Sequence, residues 1–289
     1  MKSEDLKIIE SNSIINYSYN TVKITQSRLD KGLLAIPVSL TNFFPENSAK
    51  IFVMLDDSLT LEIKNYSSYK SSTRESRIGG LKEWYQKKKL KNGDEVVIQK
   101  IDGEKFVYRL ISENRFIKKT MEIQNSFDNS ENESEALGNL RQLTNWTDVE
   151  QQNVLINEFH RLTLQSQTGK RNYVNNKSDK KRENVPHSIR TLLGNIYTGH
   201  CQVCDFSFLK KDFNPYFEIH HLDPLQGNYL KNLLLVCANC HRQFEYANIK
   251  KEFNENNWLV KVSFNNKIYT INQILLRKTP DDFIKKLYI

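Results

Sequence analysis

All four cysteines of this 289-residue chain fall between positions 201 and 240, as two pairs with the spacing C-x-x-C. Cys201 and Cys204 form the first pair, and Cys237 and Cys240 form the second. A C-x-x-C turn directs two thiolates toward one ion, and two such turns fill the tetrahedral four-sulfur shell of a structural zinc site. Four ordinary buried thiols would not explain the paired spacing. We therefore predict a structural Zn²⁺ whose shell has no open position for chemistry.

The expected compartment is consistent with metal binding rather than disulfide formation. The N-terminal sequence MKSEDLKIIE places acidic residues where a secretory signal would carry an apolar core, so we expect a cytoplasmic protein. No run approaches the roughly 18 consecutive apolar residues that a membrane helix needs. No membrane partner is therefore expected.

The formal net charge of +8 is distributed unevenly. Lysine and arginine outnumber aspartate and glutamate in residues 1–120 and again in 151–289, whereas acidic residues predominate in 121–150. Basic blocks suit a polyanion, because neutralising phosphates releases counterions. Charge alone leaves open a soluble basic protein with no nucleic-acid partner.

The N-terminal part of the chain is predicted to be rich in β-structure. Apolar or alternating runs with β-branched and aromatic residues predict strands at Ala49–Asp56, Leu59–Lys64, Asp94–Ile101 and Lys105–Ile111. Asp102-Gly103 predicts a hairpin turn, and short helices are expected at Ile36–Asn47 and Gly80–Leu90. Several short strands with few helices favour a barrel or a sandwich.

A polar, acidic segment at Ser126–Asn139 is interpreted as part of a linker. Thr147, with Glu150 three residues later, is a capping-box pattern that predicts the start of a helix. We expect one apolar face on that helix, with the side chains Leu155, Phe159 and Leu162.

Three further segments complete the coarse prediction. Lys170–Arg182 is basic and lacks apolar periodicity, so we expect either a solvated connector or an arm that contacts the DNA backbone. Pro186 suits the first turn of a helix that carries an apolar stripe. Runs at Trp258–Phe264 and Lys267–Asn272 predict a hairpin, with a short helix near Pro280–Leu287.

A histidine pattern lies between and directly after the cysteine pairs. The string E-I-H-H-x-x-P-L contains His220 and His221, and N-L, beginning at Asn232, precedes C-x-x-C-H, which ends at His241. This pattern resembles the HNH (ββα-metal) endonucleases, specifically the subgroup stapled by four cysteines. The resemblance covers about Val185–Lys250.

The resemblance implies a role for each histidine. His221 would be the general base that takes a proton from the attacking water, a task that suits an imidazole with a reference pKa of about 6.5. His220 and His241 would ligate one divalent cation. Adjacent residues of a strand face opposite sides, which agrees with different roles for His220 and His221. Mg²⁺ is the expected ion, and Mn²⁺, Co²⁺ or Ni²⁺ could substitute.

Three neighbouring residues receive implied roles with open alternatives. Asn232 would orient the base histidine and tie the hairpin loop together, or else be a turn asparagine before a buried strand. Glu245 stands where some relatives carry a further histidine, so it would ligate the metal directly or through water. Arg242 would reach a phosphate, with a helix-surface arginine as the equal alternative.

The N-terminal part has a second resemblance, to the B-three pseudobarrel DNA-binding domain. It rests on IPVSLTNFFPEN followed by strands, and on the segment Arg77–Ile111 with Trp84 and L-K-N-G-D-E-V-V-I. An unrelated small β-barrel is the alternative. The resemblance implies two DNA-gripping arms, near Gln26–Lys31 and Ser67–Arg77, or else plain polar loops. The implied DNA contacts are Arg28, Lys31, Lys70, Ser72, Thr73, Arg74 and Arg77.

The fold expected from these patterns is α+β with two domains. A B-three-like domain at 1–120 would precede an acidic linker at 121–145 and a helical connector with the HNH domain at 146–289, with its core at 185–250. The expected function is a DNA endonuclease that acts on double-stranded DNA, a type II or modification-dependent restriction enzyme. Alternatives are a mobile-element nuclease and a zinc-dependent DNA-binding regulator without nuclease activity. One HNH site cuts one strand, so double-strand cleavage implies a homodimer or two successive events.

Overall fold

The computed structural model describes residues 6–7, 15–69, 75–165, 173–175, 180–182 and 184–274. The chain divides into two compact units. The first comprises Met1–Gln124 and Leu143–Val149, and the second comprises Asn125–Gln142 and Glu150–Ile289. Among the described residues, no helix has both the length and the apolar character needed to cross a bilayer.

An eight-stranded sheet dominates the first unit. Its strands are β1 (Leu6–Lys7), β2 (Tyr19–Lys23), β3 (Leu33–Ile36), β4 (Ala49–Leu55), β5 (Glu62–Ser67), β6 (Ser76–Gly79), β7 (Glu95–Asp102) and β8 (Val107–Ser112). They are ordered β1-β2-β7-β8-β4-β5-β6-β3, and only the β4–β8 pair is parallel. The last strand, β3, returns to the vicinity of β2, so the sheet is nearly closed. The predicted barrel-like domain is confirmed.

Helix α1 (Gln26–Lys31), a 3₁₀ turn (Val38–Phe43) and helix α2 (Lys82–Lys88) accompany the sheet. The strands and helix α2 contribute buried residues to one apolar cluster. Trp84 of α2 is buried and donates its Nε1–H to Asp56 at 2.8 Å. Asp56 also accepts from the Ser112 backbone and pairs with Lys88 at 2.8 Å, so this buried carboxylate is satisfied from three sides. Of the four predicted strands, only Leu59–Lys64 is displaced, since β5 begins at Glu62.

The expectation of an acidic linker is corrected, because this part of the chain is helical. Helix α3 spans Glu113–Asp128 and α4 spans Glu133–Thr147. Both helices bury apolar residues at helical spacing, namely Phe116, Ile123, Phe127, Ala136, Leu140 and Leu143. The acidic residues occupy the exposed faces, and those exposed charges gave the segment its linker-like composition.

The predicted helix start at Thr147 is also wrong. Thr147 is the last residue of α4, and its hydroxyl donates to the Leu143 carbonyl at 2.7 Å. Asp148 has a positive φ of 56° and ends that helix. Helix α5 then begins at Gln151 and runs to Gln165. Its expected apolar face is confirmed, since Leu155 and Phe159 are buried and Leu162 is partly buried.

The second unit contains a ββα motif and a three-stranded sheet. Its remaining elements are β9 (Tyr173–Asn175), β10 (Lys180–Arg182), α6 (His187–Ile196), β11 (Glu218–His221), β12 (Leu233–Val236), α7 (Ala238–Tyr246), β13 (Ile249–Phe253), β14 (Leu259–Phe264) and β15 (Lys267–Thr270). Pro186 directly precedes α6, whose apolar stripe is buried as expected. β9 and β10 pair antiparallel within the segment expected to be a connector or an arm.

The expected hairpin near the C-terminus is β14–β15, and β13 pairs with it as an unpredicted third strand. Leu259, Val262 and Phe264 pack in one apolar cluster with Leu234 and Phe244. The three-stranded sheet therefore packs against the apolar residues of the ββα motif. The expected helix at Pro280–Leu287 lies outside the described residues.

Candidate metal centre and active site

The four predicted cysteine ligands converge on one point. All four Sγ atoms lie within 4.8 Å of one another, and Cys204 Sγ lies 3.7 Å from Cys237 Sγ. Cys201, Cys237 and Cys240 are buried, whereas Cys204 is exposed. Among the described residues, these four cysteines form the group of three or more metal-ligating side chains whose ligand atoms lie close enough together to hold one ion. Four convergent sulfurs fit Zn²⁺ as the sequence predicts.

The surroundings of the cysteine cluster favour a thiolate at Cys201. A hydrogen bond from the Cys240 thiol, together with backbone N–H groups, holds the pKa of Cys201 at about 5. The same bond raises the pKa of Cys240 far above its usual range. A thiolate is the form that ligates a metal, so the protein favours one before any ion binds.

The cysteine cluster also fixes the helix that carries His241. Cys237 precedes α7 as its N-cap, and its sulfur accepts the Cys240 backbone N–H. The His241 N–H donates to the Cys237 carbonyl at 2.9 Å. His241 thus lies in the first turn of a helix whose N-cap residue is a predicted zinc ligand.

His220 on β11 lies beside His241 on α7. Their ring centroids are 5.2 Å apart, and the His220 ring stacks on Phe244 at 4.1 Å. Burial, reinforced by the charges of His241, Lys251 and His221, lowers the pKa of His220 to about 3. His220 is therefore neutral near neutral pH, which is the form of imidazole that binds metals. Its ring nitrogens make no hydrogen bond to the described residues, which suits a metal ligand.

The other candidate ligand, His241, is oriented by a carboxylate. Its Nδ1 lies at hydrogen-bond distance from Glu218 Oε2, and the Tyr216 hydroxyl donates to Glu218 Oε1. Burial acts to raise the pKa of Glu218, but the bonds from Tyr216 and His241 outweigh it, and the pKa is lowered. An ionised carboxylate only accepts, so the proton of His241 belongs on Nδ1, and Nε2 carries the lone pair that can bind a metal.

The contact of Glu218 with His241 was not predicted from the sequence. Glu218 and His220 are two residues apart on β11 and therefore share a face. That spacing is the sequence signal that could have found it.

His221 is held by an asparagine that sequence reasoning did not single out. Its Nε2 lies 2.9 Å from Asn228 Oδ1, and Asn228 Nδ2 donates to the Asn184 carbonyl at 2.9 Å. The second bond fixes the orientation of the Asn228 amide, so its oxygen faces His221. Consequently Nε2 of His221 carries the proton and Nδ1 carries the basic lone pair.

Asn232 ties the hairpin loop together and does not itself bond to His221. It is buried, its Oδ1 accepts the Asp223 N–H at 2.8 Å, and its Nδ2 donates to the carbonyls of Asp223 and Gly227. Asn232 therefore ties the loop together, as expected, but the hydrogen bond to His221 is made by Asn228.

The three histidines line one cavity of about 970 Å³. Glu245 and Arg242 line it as well, and they bond to each other at 2.6 Å. Glu245 does not join His220 and His241 in a three-ligand group. Its expected role as a ligand therefore needs a different side-chain position, because here its carboxylate neutralises Arg242.

Three of the DNA contacts expected in the first unit lie around a common pocket. Arg28, Lys31 and Arg77 line a pocket of about 450 Å³ together with Tyr69 and Glu75. Arg28 pairs with Glu75 at 2.7 Å, and Arg77 donates to the Tyr69 hydroxyl at 2.8 Å. The described residues of the two expected arms are thus adjacent. Lys70, Ser72, Thr73 and Arg74 lie outside the described residues.

Comparison with known proteins agrees with the histidine and cysteine geometry. Residues 201–245 match the family model described as HNH endonuclease. The second unit carries an HNH endonuclease domain. The match spans both cysteine pairs, His220, His221 and His241, so the predicted resemblance is confirmed.

One curated relative and three solved structures are similar to parts of the chain. The relative is the Type IV methyl-directed restriction enzyme EcoKMcrA of Escherichia coli (strain K12), 29% identical over 124 residues. The alignment covers 41% of this chain and 45% of that enzyme, so the chain spans under half of the relative's length.

The structures share low sequence identity and low TM-scores. The Arabidopsis FUS3–DNA complex is 12% identical with a TM-score of 0.28, covering 32% of this chain and 92% of that chain. The Arabidopsis thaliana transcription factor LEC2–DNA complex is 14% identical with a TM-score of 0.28, covering 32% and 90%. The N-terminal domain of Helicobacter pylori LlaJI.R1 is 14% identical with a TM-score of 0.25, covering 35% and 88%.

Proposed function

We propose that this protein is a metal-dependent DNA endonuclease that acts as a restriction enzyme. The observation that carries the proposal is the convergence of His220, His221 and His241 on one cavity in a ββα motif. The match of residues 201–245 to the HNH endonuclease model supports the reaction class. The partial similarity to a methyl-directed restriction enzyme supports the biological role.

In the proposed reaction, His221 is the general base. The hydrogen bond that His221 Nε2–H donates to Asn228 Oδ1 keeps the proton on Nε2, so Nδ1 takes the proton of the attacking water. Asn232 maintains the loop from which Asn228 reaches the histidine. The water oxygen forms a new bond to phosphorus as the P–O bond to the leaving 3′ oxygen breaks. His221 takes one proton from the water, and the 3′ oxygen takes up one proton from solvent.

His220 and His241 are the residues that would hold the divalent cation. Neutral His220, and the lone pair that Glu218 leaves on His241 Nε2, fit this donor role. When bound, Mg²⁺ or a substituting Mn²⁺, Co²⁺ or Ni²⁺ would supply Lewis-acid stabilisation of the charge that develops on the phosphate and on the leaving oxygen. Zn²⁺ in the cysteine cluster would be structural.

The first unit is proposed to select the target. Arg28, Lys31 and Arg77 are grouped at one pocket, and guanidinium groups there can read guanine or bind phosphate. Arg77→Ala should weaken binding to the preferred target by about 1–3 kcal/mol if Arg77 reads a base. A binding selection on random and modified duplexes measures this preference, and a uniform loss over all sequences would instead mark a phosphate contact.

The proposal is tested by incubating full-length protein with unmodified, methylated and hydroxymethylated duplex DNA in Mg²⁺, Mn²⁺ or EDTA, and sequencing the ends. We expect cleavage with either metal and none in EDTA. Cutting of only modified or only unmodified substrates distinguishes a modification-dependent from a type II enzyme. DNA binding without cleavage under every condition would favour the zinc-dependent regulator instead.

A further inference from the structure

Three cations line the cavity that holds the histidines: Arg190, Arg242 and Lys251. Two of them are neutralised by carboxylates that line the same cavity. Arg190 pairs with Glu133 at 2.7 Å, and Arg242 pairs with Glu245 at 2.6 Å. The cavity therefore has three cations against two carboxylates, and its excess positive charge belongs to Lys251.

Lys251 makes one hydrogen bond to the described residues, and its acceptor is neutral. Its Nζ donates to the Leu222 carbonyl at 2.6 Å, and no carboxylate of the described residues lies within ion-pair distance. Asp223 is close enough to act on it electrostatically, but Asp223 Oδ1 accepts the Leu225 N–H. An ammonium has three N–H donors, and one carbonyl satisfies one of them. Lys251 is exposed on β13, and an ammonium on a cavity wall whose hydrogen-bond acceptor is neutral can pair with an arriving anion.

The backbone holds this ammonium next to the reacting groups. Leu222, its acceptor, directly follows His221, so Lys251 is anchored one residue from the proposed base. Strand β13, which carries Lys251, follows helix α7, which carries His241, after only two residues. Pairing with β14 places Lys251 opposite Val262, a buried residue of the core. Lys250 and Lys251 are both exposed, but only Lys251 lines the cavity, because adjacent residues of a strand face opposite sides.

We infer that Lys251 Nζ binds a non-bridging oxygen of the scissile phosphodiester and stabilises the charge that develops there. The inference rests on the proposed nuclease function and adds a residue beyond the 201–245 segment that matches the family model. The inference assigns no proton transfer to Lys251, so the proton transfers assigned to His221 are unchanged. A fixed cation that faces the developing oxyanion acts mainly on the transition state.

The test compares Lys251→Met, Lys251→Arg and the adjacent control Lys250→Met in the full-length protein. One measurement is the single-turnover cleavage rate of a duplex substrate with Mg²⁺. The other is the salt dependence of binding to the same duplex in EDTA, which does not depend on cleavage. Zinc content and thermal unfolding confirm that each variant is folded.

We expect Lys251→Met to lower the cleavage rate by about 10²-fold and to reduce the slope of log affinity against log salt by about one. Lys251→Arg keeps the charge and should restore the slope, whereas Lys250→Met should leave the rate within about twofold. If the parent cleaves and folded Lys251→Met matches it in both rate and slope, the Lys251 assignment is wrong and the nuclease assignment stands. If the parent neither binds nor cleaves duplex DNA, both assignments are overturned.

Discussion

The cysteine cluster and the histidine cavity are neighbouring centres of opposite design. Four sulfurs converge within 4.8 Å, and three of the four cysteines are buried. The histidines are only partly buried and line an open cavity of about 970 Å³. A filled four-ligand shell can only stabilise, whereas an incomplete shell that faces a cavity can admit substrate. Helix α7 has Cys237 as its N-cap and carries His241 in its first turn, so the cysteine cluster (the closed centre) positions a residue of the histidine cavity (the open centre).

The largest expected effect comes from removing one ligand of the cysteine cluster. Structural zinc contributes roughly 10–16 kcal/mol of apparent binding free energy that is also folding free energy. Cys237→Ser should therefore release zinc and unfold the second unit, as measured by elemental analysis and thermal unfolding. Ser207→Ala changes a hydroxyl between the cysteine pairs without removing a thiolate, and it should retain zinc. Purified native protein that contains no zinc would contradict this role for the cysteines.

A smaller effect is expected where a carboxylate supports the open centre. Glu218→Ala removes the acceptor for His241 Nδ1–H, and loss of such a partner weakens metal affinity by about 10–100-fold. Glu218→Gln keeps an oxygen acceptor and should fall between the parent and Glu218→Ala. Titration with Mn²⁺ in the zinc-loaded protein measures the change, and Glu252→Gln is an exposed control outside the cavity. Unchanged Mn²⁺ affinity in Glu218→Ala would show that Glu218 does not support metal binding.

The smallest effect is expected at the bond that orients the proposed base. Asn228→Ala removes one hydrogen bond to His221, and such bonds are worth about 0.5–1.5 kcal/mol. The single-turnover rate should therefore fall about two- to tenfold, while Mn²⁺ affinity and zinc content remain at the parental level. A loss of Mn²⁺ affinity of the same size would instead show that Asn228 supports the metal site.

The sequence predicted the closed centre more completely than the open one. Paired spacing alone placed Cys201 and Cys240 on one ion, because a C-x-x-C turn fixes local geometry. The contacts of His221 and His241 depend on side chains, Asn228 and Glu218, that carry no spacing rule of comparable strength. Their partners become visible only after the hairpin loop closes and α7 packs on β11.

The same contrast holds for the fold. Apolar or alternating runs located β4, β7 and β8, because the buried residues of a strand show directly in the sequence. Helices α3 and α4 were missed because their acidic exposed faces outweighed a narrow apolar stripe that includes Phe127 and Leu140. Strand β13 was missed because it is almost entirely exposed and shows no alternation.

The central claim is that the closed centre maintains the fold while the open centre performs the chemistry. His221→Ala tests it most directly, with His160→Ala, on α5 and outside the cavity, as the matched control. The account predicts parental zinc content, thermal unfolding and DNA affinity, with a cleavage rate lowered by about 10²–10⁴-fold in His221→Ala alone. Cleavage by folded His221→Ala near the parental rate with Mg²⁺ or Mn²⁺ would contradict it.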